Sequence, residues 1–150
     1  MTYLSKSVAE TNKIAEDFLK MISTHTHTNH ALVVGLFGDL GSGKTTFTQA
    51  LGKLLGVSEV MTSPTFVIEK IYLLNHSEEI PVVFKRLIHI DAYRLEKGKE
   101  LQSLGFQEIL KDPKNLILIE WPERVVDILP PDLIKINFKF VSEFEREISF

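Results

Sequence analysis

Eight consecutive residues, Gly38-Asp39-Leu40-Gly41-Ser42-Gly43-Lys44-Thr45, have the types and spacing needed to hold a polyphosphate. They fit the pattern of glycine, four residues, glycine, lysine and serine or threonine. Such glycines let the backbone turn tightly and bring its N–H groups to phosphate oxygens with no Cβ in the way. Lys44 supplies a point charge for β- and γ-phosphates, and the Thr45 hydroxyl can ligate Mg²⁺. A helix starting near Gly43 adds the positive end of its dipole. The competing reading, a glycine-rich turn with no ligand, does not account for the apolar strand before the loop and the amphipathic helix after it. The pattern implies nucleotide binding.

Other residues complement the loop. Leu116-Ile117-Leu118-Ile119-Glu120 is an apolar run closed by a carboxylate, as expected of the acidic strand end that holds Mg²⁺ directly or through water. Aspartate is usual there, and glutamate reaches one methylene further. Asp91 follows Leu87-Ile88-His89-Ile90; it either orients water or metal at a strand exit or caps a helix. Thr65 is either a switch threonine sensing the γ-phosphate or an ordinary turn residue. Arg94 either faces phosphate or pairs with a surface glutamate, and Trp121 is either a lid over the site or an edge of the core. Alternate histidines in His25-Thr26-His27-Thr28-Asn29-His30 suggest metal. No carboxylate or cysteine accompanies them, so a solvated connector is the better reading.

These residues need a scaffold. Ser7 to Glu10 has capping-box spacing, and Val8, Ala15, Phe18, Leu19 and Ile22 predict a helix over 8–23. This helix either covers a sheet face or brings Thr11 towards a nucleotide base. An interior strand over 31–37 leads through the loop to a helix over 44–55 with the stripe Phe47, Ala50, Leu51, Leu54 and Leu55, closed by Gly56. Stretches over 62–74 and 81–90, joined by a polar turn at 75–79, predict an antiparallel hairpin. Leu101, Leu104, Ile109 and Leu110 predict a short helix interrupted by Gly105. Alternation at Ile134, Ile136, Phe138 and Phe140, repeated at Ile148 and Phe150, predicts half-buried strands with no assigned chemistry. The expected fold is α/β: a P-loop NTPase-like three-layer sandwich with a mostly parallel central sheet, an antiparallel hairpin, C-terminal strands and helices on both faces.

Composition narrows the class. Residues 1–150 suit one domain, and 44% apolar content suffices for a core. Twenty acidic against 17 basic residues give a net charge of -3, which argues against independent nucleic-acid binding. With no cysteine there is no disulfide framework, thiolate metal site or cysteine nucleophile, and a cytoplasmic protein is expected. Apolar runs fall short of the ~20 residues of a membrane helix, and no signal-peptide layout opens the chain.

In combination and order, four motifs resemble the bacterial TsaE (YjeE-type) ATPases of tRNA threonylcarbamoyladenosine biosynthesis. They are the loop with Thr46, Ser63-Pro64-Thr65-Phe66, His89-Ile90-Asp91-Ala92-Tyr93-Arg94-Leu95, and Ile119-Glu120-Trp121-Pro122-Glu123. Glu100-Leu101 and Leu104-Gly105 are similar to the helix between the last two. The likeness spans 8–130; beyond it only strand character matches. It implies an ATPase whose loop residues Gly38, Asp39, Leu40, Gly41, Ser42, Gly43, Lys44, Thr45 and Thr46 hold ATP, with Mg²⁺ shared by Thr45 and Glu120. It implies Thr65 and Asp91 near the γ-phosphate, Thr11 near the base, and a TsaB–TsaD-type partner complex carrying tRNA, modified at position 37. In that family the ATPase does not itself transfer the threonylcarbamoyl group. Gln49 departs from the basic residue often found there.

On this reading Lys44, Thr65, Asp91 and Glu120 carry catalysis by positioning and electrostatics. Turnover in isolation is expected to be slow, because no arginine finger is evident. ATP is preferred to GTP, since no Asn-Lys-x-Asp guanine reader occurs. Two competitors stay open: a small-molecule kinase with Asp91 as base, and a nucleotide-dependent docking switch whose hydrolysis is incidental.

Overall fold

The structure, a computed structural model, describes residues 1–24, 29–75 and 83–150. The first helix, α1 (Val8–Ser23), starts where the sequence places it: Ser7 Oγ accepts from Glu10 N at 3.2 Å, and Glu10 Oε2 accepts from Lys6 N at 2.6 Å. Ile14, Ala15, Phe18, Leu19 and Ile22 form its buried stripe. Val8, expected on that stripe, is instead exposed at the first turn, where it faces a cleft. Strand β2 (Leu32–Phe37) runs into the glycine loop, and α2 (Lys44–Leu54) leaves it. The end of α2 is closed as expected by Gly56: its N–H donates to Lys53 O, and Val57 N–H donates to Gly52 O.

The hairpin strands are β3 (Glu69–Leu73) and β4 (Arg86–Asp91), paired antiparallel from Glu69↔Ile90 to Leu73↔Arg86. Most of the expected polar turn, with Pro81, lies outside the described residues. The first half of the expected extended stretch is not strand. Val67 and Ile68 N–H both return to Pro64 O, a turn that proline at 64 initiates. Two short helices follow, α3 (Gly98–Gln102) and α4 (Phe106–Leu110), broken as expected at Gly105. Leu104 falls in that break and is half exposed, contrary to its predicted place in the stripe. Next come β5 (Asn115–Glu120), two 3-10 turns over Pro122–Arg124 and Val126–Ile128, β6 (Ile134–Phe140) and β7 (Arg146–Ser149). Phe140 is exposed because the alternation ends at the β6–β7 turn.

An N-terminal strand, β1 (Thr2–Ser5), was not expected. It pairs antiparallel with β7, and the sheet order is β1-β7-β6-β2-β5-β4-β3. The three central pairings, β2 with β5 and β6 and β4 with β5, are parallel; the outer ones are antiparallel. Period-two alternation divides the strands between two cores. Leu32, Val34, Leu36, Leu87, Leu116, Leu118, Ile136 and Phe138 pack under α1 and α2. Val33, Ile88, Ile90, Ile117 and Ile119 pack with Leu101 and Phe106 of α3 and α4 on the other face. The expected α/β sandwich, with helices on both faces, is therefore the observed architecture. Parallel β2, β4 and β5 end at one edge, with Asp91 and Glu120 in register there.

Candidate active site

At that edge lies a cleft of about 640 Å³, lined by loop residues Leu40, Gly41, Gly43, Lys44, Thr45 and Thr46 on one side. Ser63, Thr65, Asp91, Tyr93, Glu120 and Trp121 face them, and Ser5, Ser7, Thr11, Phe144 and Arg146 close the third side. The loop owes its shape to glycine. Gly38 has φ +148, and a Cβ there would lie 2.4 Å from the Phe138 carbonyl oxygen on β6. The N-terminus of α2, at Gly43, has no side-chain cap, so its first N–H groups remain available to an anion. Ser42 Oγ is buried and has no hydrogen-bond partner among the described residues.

Lys44 is 5% exposed, and its ammonium donates to Gly38 O at 2.5 Å and Asp39 O at 2.8 Å. Burial pushes its pKa below the ordinary lysine value, while the nearby carboxylates of Glu120, Glu123, Asp91 and Asp39 pull the other way. The Trp121 ring lies 4.6 Å from the amine. Trp121 occupies left-handed backbone, φ 57, at the exit of β5. This strain turns the indole over Lys44 and against Tyr93, 5.1 Å away. Trp121 thus both lines the cleft and packs at the edge of the second core.

Thr45 Oγ1 donates to Glu120 Oε1 at 3.4 Å, so the residues proposed to share a cation meet although 75 positions apart. Asp91 does not cap a helix. Its Oδ2 accepts from Thr65 Oγ1 at 2.7 Å and Ser63 Oγ at 3.2 Å, and its Oδ1 accepts from Tyr93 N. Thr65 is therefore placed by Asp91, aided by Asp91 N–H donating to Ile68 O. Thr11 lines the far end of the cleft, bonded to Ser5 Oγ at 2.8 Å and donating to Ser7 O at 3.3 Å. Gly38, Asp39 and Ser42 support the loop from beneath or outside the cleft lining. Asp39 does so through its carbonyl, its side chain being exposed.

Arg94 lies outside the cleft lining and pairs with no glutamate among the described residues; its guanidinium stacks 4.5 Å from the exposed Phe66 ring. Arg146 was missed. From β7 its Nε donates to Gly41 O at 3.1 Å, and Nη1 donates to the carbonyls of Ser142, Glu143 and Glu145. Only the unpredicted register of β7 beside β6 delivers it, so no local signal marked it. Of the 25–30 stretch, 25–28 lie outside the described residues; His30 meets Ala31 O and Asp132. Among the described residues no three His, Cys, Asp or Glu side chains form a metal cluster. A hydroxyl and a carboxylate beside the glycine loop nevertheless fit Mg²⁺, a hard ion that takes oxygen ligands and keeps several waters. No helix among the described residues is long and apolar enough to cross a membrane.

A strand, glycine loop and helix at the centre of a mixed sheet, with acidic strand ends beside the loop, define an α/β protein of P-loop-like fold. A crystal structure of YdiB from Bacillus subtilis superposes with a TM-score of 0.69 at 28% identity, covering 99% of this chain and 82% of that one. The model of the family described as "Threonylcarbamoyl adenosine biosynthesis protein TsaE" matches residues 5–148, and the chain belongs to the TsaE family. Among proteins named "tRNA threonylcarbamoyladenosine biosynthesis protein TsaE", that of Borreliella burgdorferi is 38% identical, covering 81% of this chain and 86% of its own length. The Rickettsia typhi protein is 35% identical over 89% and 85%. The Bacillus subtilis protein is 37% identical over 79% and 68%.

Proposed function

We propose that this chain binds and slowly hydrolyses ATP in the cytoplasm, in support of threonylcarbamoyl-adenosine formation at position 37 of tRNA on a TsaB–TsaD-type complex. The observation that carries the reading is the meeting of Thr45 Oγ1 and Glu120 Oε1 at 3.4 Å, beside the uncapped start of α2 and Lys44. Thr45 and Glu120 would hold Mg²⁺, whose charge, when bound, offsets that of the phosphate oxygens. The loop amides and the orphaned Ser42 hydroxyl offer donors to phosphate. Lys44 exchanges its bonds to the Gly38 and Asp39 carbonyls for the β- and γ-oxygens.

Asp91, its Oδ2 oriented by Thr65 and Ser63, positions a water for attack on the γ-phosphorus, and Thr65 senses that phosphate. Ser5, Ser7 and Thr11 lie at the end of the cleft suited to the base. Neither nearby arginine is poised on this chemistry: Arg94 is stacked on Phe66 and Arg146 is bonded to loop carbonyls. That supports slow turnover in isolation and acceleration only on the partner complex.

Reconstitution tests the proposal: the chain, ATP, Mg²⁺ and the partner complex are added to unmodified tRNA, with Lys44→Ala and Glu120→Ala in parallel. Both variants should lose modification and phosphate release. Full modification with either would sink the role. Phosphorylation of a metabolite in place of phosphate release would favour a kinase, and ATP-dependent capture with negligible turnover would favour a switch.

A further inference from the structure

One buried titratable side chain beside the cleft has no part in the hydrolysis described above. His89 is 1% exposed and lies on β4, two residues before Asp91, so both project to the α2 side of the sheet. Its Nε2 is 3.0 Å from Glu120 Oε1, the same oxygen that accepts from Thr45. Its Nδ1 is buried and has no hydrogen-bond partner among the described residues. Those two facts select the tautomer. A proton on Nδ1 would be buried without an acceptor, whereas a proton on Nε2 has a carboxylate to receive it.

We infer that His89 is a positioning residue for Glu120: its Nε2–H holds the carboxylate in the rotamer that meets Thr45. This rests on the proposed sharing of Mg²⁺ by Thr45 and Glu120. The physical need is specific to glutamate. Its longer side chain has one more rotatable bond than aspartate, and every bond ordered only when the cation arrives weakens binding. A rigid donor on the neighbouring strand orders it in advance. Glu120 is itself 4% exposed, and a buried carboxylate needs the donor for its own solvation. Hydrogen bonds to metal-ligating groups typically change metal affinity by about 10–100-fold when removed.

The experiment uses the whole chain and calorimetric titration of ADP with and without Mg²⁺. His89→Met fills the space without a donor; His89→Gln returns an amide N–H. His89→Met should reduce the Mg²⁺-dependent gain in ADP affinity about tenfold or more and leave Mg²⁺-free affinity within about twofold. His89→Gln should recover most of that gain. A wild-type gain that survives in His89→Met removes the role of His89 alone. No gain in the wild type removes the ion site and this role with it. Equal loss in both variants, each with wild-type thermal stability, also overturns it, because the donor would then be irrelevant. In the ligand-free chain, nitrogen-15 spectra should show His89 as the Nε2–H tautomer, changed by Glu120→Ala; an Nδ1–H tautomer contradicts the inference without reference to any metal.

Discussion

Substitution of Gly38 by alanine should harm the protein far more than substitution of Gly41, though both glycines belong to one loop and both have positive φ. A Cβ on Gly38 would lie 2.4 Å from Phe138 O, 3.0 Å from Phe138 Cβ and 2.8 Å from Ser42 Oγ, where ordinary contact starts near 3.4 Å. The loop or β6 must therefore yield by about 1 Å. The forced backbone costs about 1–3 kcal/mol, and the overpacking adds about 1–3 kcal/mol. A Cβ on Gly41, φ +77, meets nothing within 4 Å, leaving only a left-handed cost of about 1–2 kcal/mol.

Urea unfolding followed through Trp121, the one tryptophan in the chain, measures both. The expected difference is the steric part alone, about 1–3 kcal/mol. Because the Phe138 oxygen is main chain, the double variant Gly38→Ala/Ser42→Ala should recover little beyond what Ser42→Ala gains by itself. Nucleotide affinity should fall with Gly38→Ala, since a displaced loop misaligns its amides. Equal or reversed costs at 38 and 41 would refute the close approach of the loop to β6 as the reason for glycine.

Ser42→Ala removes a buried hydroxyl with no partner among the described residues, and should stabilise the ligand-free chain by about 1 kcal/mol while weakening nucleotide binding; destabilisation in thermal melts would mean the hydroxyl already has a partner. Burial holds the Glu69 carboxyl above the ordinary 4.5. The folded chain therefore loses stability as pH rises from 4.5 through the raised value. Glu69→Gln should be more stable than wild type at neutral pH and no more stable near pH 4, and a gain equal at both in denaturant titrations would contradict the assignment. Arg146→Gln cuts the tie between Gly41 and the 142–145 turn; about 1 kcal/mol of stability and several-fold nucleotide affinity should be lost, and unchanged affinity in calorimetry would leave Arg146 a surface residue.

Legibility in the sequence followed the range of the interactions involved. Helix α1 was read to its ends because its cap, Ser7 with Glu10, and its stripe are local. The loop was placed between β2 and α2 because the phosphate-loop pattern is a set of fixed residue types at fixed spacing. Glu120 and Asp91 were legible as acids closing apolar strands, and parity explains their company. Positions 87, 89 and 91 share the α2 face with 116, 118 and 120, which is why Leu87 and Leu118 lie in one core while Ile88 and Ile119 lie in the other. Long-range register was not legible. Strand β1 has four residues and no alternation of its own; it exists because β7 offers an edge. Arg146 reaches Gly41 across 105 positions by the same pairing. Phe140 and Leu104 fit their periodicities, but each stands where its element ends, and the core no longer extends under it.

On the proposed reading, the state of Lys44 ties loop geometry to ligand binding. A buried ammonium is costly unless hydrogen-bonded, and this one is held by two carbonyls of its own loop, with the Trp121 face nearby. Those carbonyls belong to Gly38 and Asp39, the segment pressed against β6 by the absence of a Cβ. The lysine is thus a strut that braces the loop in the ligand-free chain, yet burial still leaves its pKa lowered. A phosphate arriving at the α2 N-terminus brings the compensating charge that the strut bonds do not supply. Binding should therefore raise the Lys44 pKa while freeing the two carbonyls. The same residue that braces the ligand-free loop would then give the anion its first favourable contact, in exchange for its two loop bonds.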